Sequence, residues 1–330
     1  MKATLGNKCE LFANNYMDLS KRYRWNYAVN NRLGALLYAM DNRRADVEAI
    51  DRCRKIIKEN TGIFSQFKEE TNFMSSVKLA LHSEPEAMFK GALSVYNELK
   101  SEGFRSSPYL VLAAISIALQ GDPYNYQQLV ASTRQFYNAM KEEHRFVTSA
   151  DDYGFAALLA MSGIPVEQAV REMERCYEIL KQDFHNSNAV QALSHVLTLN
   201  PNNVYAKCRR VVDLQLALKR RKCKTGTGIE LSFLGILASI PFDTNSLADE
   251  VEEVNNYLEG RKGFGSWSVA AKERIMFSIA LVCDDYMEDS KHSTMEMSLA
   301  NNVTGILLAQ QMAVMAAATG SMAAASSANS

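Results

Sequence analysis

Asp285, Glu288, Asp289, His292 and Glu296 fall in one segment, CDDYMEDSKHSTME. On a helix these five side chains share roughly 100° of arc, at about 100° per residue. Carboxylates and an imidazole on one face can hold a divalent metal, so Asp285, Glu288, Asp289 and His292 form a candidate metal site. The Asp289-x-x-His292 spacing also imitates one ligand element of di-metal helix bundles, which need a second such element from a facing helix. No other acid-x-x-His pair occurs in the chain. The plainer reading is a solvated acidic face, with Met276, Ile279, Cys283, Tyr286 and Met287 buried opposite.

A second candidate is basic. Lys219, Arg220, Arg221, Lys222 and Lys224 form KRRKCK, reinforced by Arg209 and Arg210. Such a cluster can attract an anion or a nucleic acid. It also stands where a helix should end, and cations there complement the dipole and the unpaired carbonyls. The segment KRYRWNY, Lys21 to Tyr27, mixes basic and aromatic residues as single-strand stacking surfaces do, but its tyrosines fall on an apolar helical face suited to packing. His195, beside Ser194 in an apolar run, has the chemistry of a general base and reads more simply as a core histidine. Asp151 and Asp152 stand at a helix start, where capping accounts for them. The chain lacks GxxxxGK[ST], a GxGxxG after a strand, GxSxG and HExxH.

The elements that would position these residues show a recurring beat. Phe64, Phe104, Phe146, Phe184, Cys223 and Phe264 recur about every forty residues. Pro85, Pro123, Pro165, Pro201 and Pro241 interleave with them, and they are five of the six prolines. Capping-type residues follow most of the marks (Ser106, Thr148, Asn186, Thr225, Ser266), then an apolar run, then a turn, then an amphipathic segment. Capping boxes are expected at Ser83 with Glu86, Ser149 with Asp152 and Thr227 with Glu230, and a cap at Ser246 with Asp249. One such unit cannot cover its apolar helix alone, but stacked neighbours can. The pattern therefore predicts an all-α, α-solenoid-like stack of about six helix hairpins. In it, 1–62 is an N-terminal helical cap, 63–263 holds five hairpins, 264–318 is a C-terminal helix pair, and 319–330 is an Ala/Ser tail.

Composition agrees with a soluble helical protein: 47% hydrophobic, 22% charged, six prolines in 330 residues. A net charge of −1 gives no overall field for nucleic acid or an anionic membrane. Cys9, Cys53, Cys176, Cys208, Cys223 and Cys283 form no CxxC pair and suit buried thiols in a reducing compartment. The N-terminus shows no unbroken apolar signal region, so a cytoplasmic location is expected. The uncharged stretch VTGILLAQQMAVMAAATG raises a membrane question by its length. Its central Gln310 and Gln311 favour a closing helix instead.

The runs FVTSADDYGFAALLA, QALSHVLTLNP and QQMAVMAAATG resemble a family of uncharacterised helical proteins of Gram-positive bacteria, known only as a domain of unknown function. The resemblance implies a bacterial cytosolic protein and brings no activity or ligand. The leading functional expectation is a non-catalytic scaffold that binds a protein or peptide, with no cofactor. The alternatives are a metal-binding protein or metal-dependent enzyme using a divalent metal on the 285–296 face, and nucleic-acid or anion binding through the basic 209–224 surface.

Overall fold

A computed structural model describes residues 1–62, 65–68, 70–143, 148–200, 202–228 and 230–292, excluding the side chains of residues 70 and 289–292. Phe64, Phe146, Pro201, the side chains of Asp289 and His292, and the stretch from residue 293 onward lie outside the described residues. The protein is all-helical, and no strand occurs among the described residues. None of the described helices is long and apolar enough to cross a membrane. The chain divides into two compact units.

One unit runs from residue 18 to 166 within the described chain. It contains α2 (Ala28–Met40), α3 (Val47–Glu59), α4 (Glu70–Ala80), α5 (Pro85–Ser101), α6 (Pro108–Gln120), α7 (Tyr126–Glu143) and α8 (Tyr153–Met161). Helices α2, α4, α6 and α8 lie side by side as one layer, and α3, α5 and α7 form a second layer against them. The inner helices are buried on nearly all sides: every residue from Leu110 to Ala118 in α6 is buried, and α2 and α4 bury polar residues such as Asn31 and Lys78 as well. The outer helices are amphipathic, as in α3, which buries Ile50, Cys53 and Ile57 and exposes Glu48, Arg52, Lys55, Lys58 and Glu59.

The other unit joins residues 1–17 to the chain from 167 onward. It contains the first part of α1 (Ala3–Arg22), then α9 (Val166–Leu180), α10 (Ser187–Thr198), α11 (Val204–Arg220), α12 (Glu230–Ala238), α13 (Thr244–Glu259) and α14 (Ala271–His292). Again α10, α12 and α14 form one row, with α11 beside α13 in the next. Gly235 permits the close approach of α12 to α10, since a Cβ there would meet Leu193 Cδ1 at 2.6 Å. The N-terminal segment packs Phe12 edge-on against Phe264 at 4.8 Å and Phe277 at 5.5 Å. All three rings are fully buried, and each such burial stabilises by about 1.5–3 kcal/mol.

Helix starts and stops explain why these sequences fold this way. Asn186 caps α10 through Ala189 N at 3.2 Å, and Ser149 with Asp152 forms the expected capping box. Four expected caps are corrected. Ser107, not Ser106, caps α6, because Pro108 opens that helix. Helix α5 starts at Pro85 after an uncapped Glu84, so Ser83 stands one residue too early; the residue before a proline is driven to extended backbone. Asp243, not Ser246, caps α13, and Ser246 N is the donor. Thr148 donates to the Met140 carbonyl instead of capping a helix.

The carbonyl ends of the buried helices are closed by polar side chains from neighbouring segments. Lys207 Nζ donates to Leu197 O at 2.7 Å and Asn200 O at 2.8 Å, beyond α10. Arg210 donates to Ala238 O and Ile240 O at the end of α12. Tyr126 donates to Ala118 O in α6, and Arg43 to Leu81 O after α4. A buried helix end cannot use water, so these donors satisfy carbonyls that would otherwise cost about 1–3 kcal/mol each.

Candidate anion-binding site

The residues singled out for metal binding meet cations. Lys8, only 2% exposed, sets Nζ 2.5 Å from Asp284 Oδ2 and 2.8 Å from Glu288 Oε2. Burial opposes its charge, but Asp284 and Glu288 together hold the ammonium above its usual range. Asp285, almost fully buried, lies 3.8 Å from Lys2 Nζ. Glu288 and Asp285 thus turn to two different lysines. No group of three His, Cys, Asp or Glu side chains is placed to hold a metal among the described residues. Asp289 and His292 belong to α14, with side chains outside the described residues.

The basic cluster at 209–224 is dispersed. Arg210 is turned onto the α12 carbonyls, and burial lowers its basicity. Arg221 is bound to Asp249 Oδ1 at 2.6 Å, Ala217 O at 3.0 Å and Asn245 O at 3.2 Å. Arg209 is exposed, with Nε 3.8 Å from Asp213. Lys219, Arg220, Lys222 and Lys224 are exposed. Two of the seven cations therefore close helix and loop carbonyls; of the other five, Arg209 lies in the second turn of α11 and Lys219, Arg220, Lys222 and Lys224 at and just beyond its end. His195 is buried in α10, and Asp152 accepts the Ser149 N–H at 3.0 Å in its cap.

Cations converge elsewhere, in the unit of residues 18–166. Arg54, Lys55, Lys58, Lys68 and Asn72 line a solvent-open cavity of about 510 Å³. Its first wall is α3. Because Ile50, Cys53 and Ile57 fix the buried face, Arg54, Lys55 and Lys58 must emerge beside it, with Arg54 and Lys58 one helical turn apart. The second wall is the turn before α4. Phe67 anchors that turn, fully buried and edge-on to Phe89 at 5.3 Å and Tyr96 at 5.1 Å. Thr71 Oγ1 donates to the carbonyls of Lys68, at 3.1 Å, and Gln66. This fixes the backbone from which Lys68 projects.

Asn72, 8% exposed and in the first turn of α4, accepts Arg54 Nε–H on Oδ1 at 3.1 Å. The Arg54 guanidinium also lies 5.5 Å from the Tyr23 ring centre, within cation–π range. Tyr23 is held in turn by Oη–H donation to Val47 O and Asp51 Oδ1, and Arg22 binds the same carboxylate. Of the two tyrosines of KRYRWNY, Tyr23 is thus a packing residue, while Tyr27, beyond the end of α1, is 41% exposed and Trp25 stands 88% exposed with the Arg24 guanidinium 5.0 Å from its ring. Lys55 lies 3.7 Å from Glu59. No carboxylate lines the cavity among the described residues. Four cations facing one volume can hold an anion by charge and by donated hydrogen bonds.

These residues were not among the candidates drawn from the sequence. The available signal was the density of cations in DRCRKIIK, which an amphipathic helix explains as a solvated face. Lys68 and Asn72 join them only through the turn.

Comparison with known proteins gives a family without an activity. Residues 15–312 match the model described as "Protein of unknown function (DUF4003)", and the chain belongs to that family. It is similar to "Uncharacterized protein YeaA" of Bacillus subtilis (strain 168), 25% identical over 331 residues, which covers 97% of this chain and 96% of that protein. No solved structure matches.

Proposed function

We propose that the protein is a non-catalytic helical-repeat binding module whose ligand is held by an anionic group in the α3–α4 cavity. The observation that carries this reading is the lining itself: Arg54, Lys55, Lys58 and Lys68 with no described carboxylate among them. The pairing of Lys8 with Asp284 and Glu288 favours the anion reading over a metal at 285–288. A protein partner is a second reading, supported by the fully exposed Trp267 in the loop before α14. A cytoplasmic location fits six free, buried cysteines.

Thermal unfolding at low ionic strength, with phosphate, sulfate and citrate in turn, tests the anion reading. A rise in Tm with at least one anion is expected, lost in Arg54→Ala/Lys58→Ala/Lys68→Ala and weakened by added salt. A triple variant that responds like the wild type would contradict it.

A further inference from the structure

Resting on that reading, we infer that the cavity is a site for a small molecule bearing a diphosphate, with Arg54 as the fork that grips one phosphoryl group and Lys58 and Lys68 completing the grip from opposite walls. Arg54 is pre-oriented. Its Nε–H is committed to Asn72, and its two terminal nitrogens make no hydrogen bond among the described residues. A guanidinium held this way offers two parallel N–H donors, the geometry that matches two oxygens of one phosphoryl group. Lys58 and Lys68 have no carboxylate partner among the described residues, whereas Lys55 leans toward Glu59. Among the described residues, Arg54, Lys58 and Lys68 have no carboxylate partner, and three such cations exceed what one carboxylate offsets. A phosphoryl group carries about −1.5 to −2, so two linked groups balance three cations.

Size and backbone point the same way. A cavity of about 510 Å³ is larger than one inorganic anion fills and falls within the range of small-molecule sites. Asn72 sits in the first turn of α4, the helix end whose dipole favours phosphate. Lysine approaches a tetrahedral phosphate as a point charge from any direction, so donors on two walls suit it better than a planar carboxylate.

Isothermal titration of the full chain with inorganic pyrophosphate, orthophosphate, citrate, ADP and a short single-stranded oligonucleotide, at low ionic strength, tests this. Pyrophosphate or ADP is expected to bind about tenfold or more tighter than orthophosphate and citrate, since one added charge-assisted contact is worth about 1.5–3 kcal/mol. Pyrophosphate equal to ADP assigns recognition to the diphosphate alone, and tighter ADP adds a nucleoside contact; both support the site. Arg54→Lys keeps the charge and removes the fork, and should lose about tenfold for pyrophosphate. Lys58→Gln, on the exposed side of α3, should weaken pyrophosphate binding while leaving Tm unchanged. Orthophosphate or citrate binding as tightly as pyrophosphate would overturn the diphosphate inference and leave the anion reading standing. An oligonucleotide that outcompetes pyrophosphate at equal phosphate would overturn it in favour of nucleic acid. Binding of none of these would end both.

Discussion

Arg54 Nε donates to Asn72 Oδ1 over 3.1 Å, and this bond decides where the rest of the guanidinium points. An arginine on an amphipathic helix usually spreads over many rotamers. Here a nearly buried amide from the next helix fixes one edge of the cation and the Tyr23 ring lies within reach of the group. The free edge is left for a ligand.

Asn72→Asp should therefore disable the site without harming the fold. A carboxylate at this position would pair with Arg54 and add a negative charge inside the cavity. Pyrophosphate affinity is expected to fall by about tenfold or more, with the unfolding midpoint in urea held or slightly raised. Unchanged affinity would show that Asn72 does not orient the arginine.

Lys207 makes a contrasting prediction, about stability. Its side chain is fully buried and serves Leu197 O, Asn200 O and Glu172. Lys207→Met keeps the length and removes every donor, leaving two carbonyls and a carboxylate unmatched. The expected loss is about 3–5 kcal/mol in urea unfolding. A loss below about 1 kcal/mol would place the lysine among ordinary surface ion pairs.

Lys78 on α4 is buried, and burial lowers its pKa to about 8 from 10.5. Below pH 8 the folded and unfolded chains both carry the proton. Between about 8 and 10.5 the unfolded chain still binds it and the folded chain does not, so this residue's contribution to stability rises with pH there. Wild-type stability relative to Lys78→Met should rise by on the order of 3 kcal/mol across that window. A difference independent of pH would contradict it.

Burial acts oppositely on the thiols. It pushes Cys53 and Cys223 up to about 11 and, aided by Asp285, Cys9 up to about 12. At pH 8 burial should shield all six native thiols from a disulfide reagent, including Cys208, whose pKa the Cys176 hydrogen bond lowers, and all six should react in denaturant. Rapid reaction of any thiol in the native protein would contradict the buried assignment.

The helices were legible because their apolar positions follow one period and their breaks carry Pro, Gly and Asn. Buried runs such as YLVLAAISIAL and half-buried ones such as VEQAVREMERCYEIL announce their layers by composition alone. Capping was less legible, because a cap depends on one dihedral: Pro85 and Pro108 set the helix start, and Ser83 and Ser106 fall one residue short. Charge was the least legible. Arg210 and Arg221 look like members of a surface cluster in KRRKCK and its flank, yet both reach back to carbonyls made available by α12 and α13. Asp285 and Glu288 share a helical face in sequence, but lysines from the N-terminal segment reach them first. Arg54, Lys58 and Lys68 read as ordinary solvated charges until the Phe67 anchor folds the turn against α3. Each of these misses of charge involves a long-range contact, which spacing along the chain does not encode.

The most direct test of the cavity is to see an anion in it. Crystals grown in sulfate-free, phosphate-free solution and soaked with tungstate, a tetrahedral dianion with a strong anomalous signal, should show a peak within hydrogen-bond distance of Arg54 and facing Lys58 or Lys68. A peak only on the exposed surface of α11 and the turn after it, at Arg209 or Lys219 to Lys224, would contradict the account, as would an empty cavity at saturating tungstate.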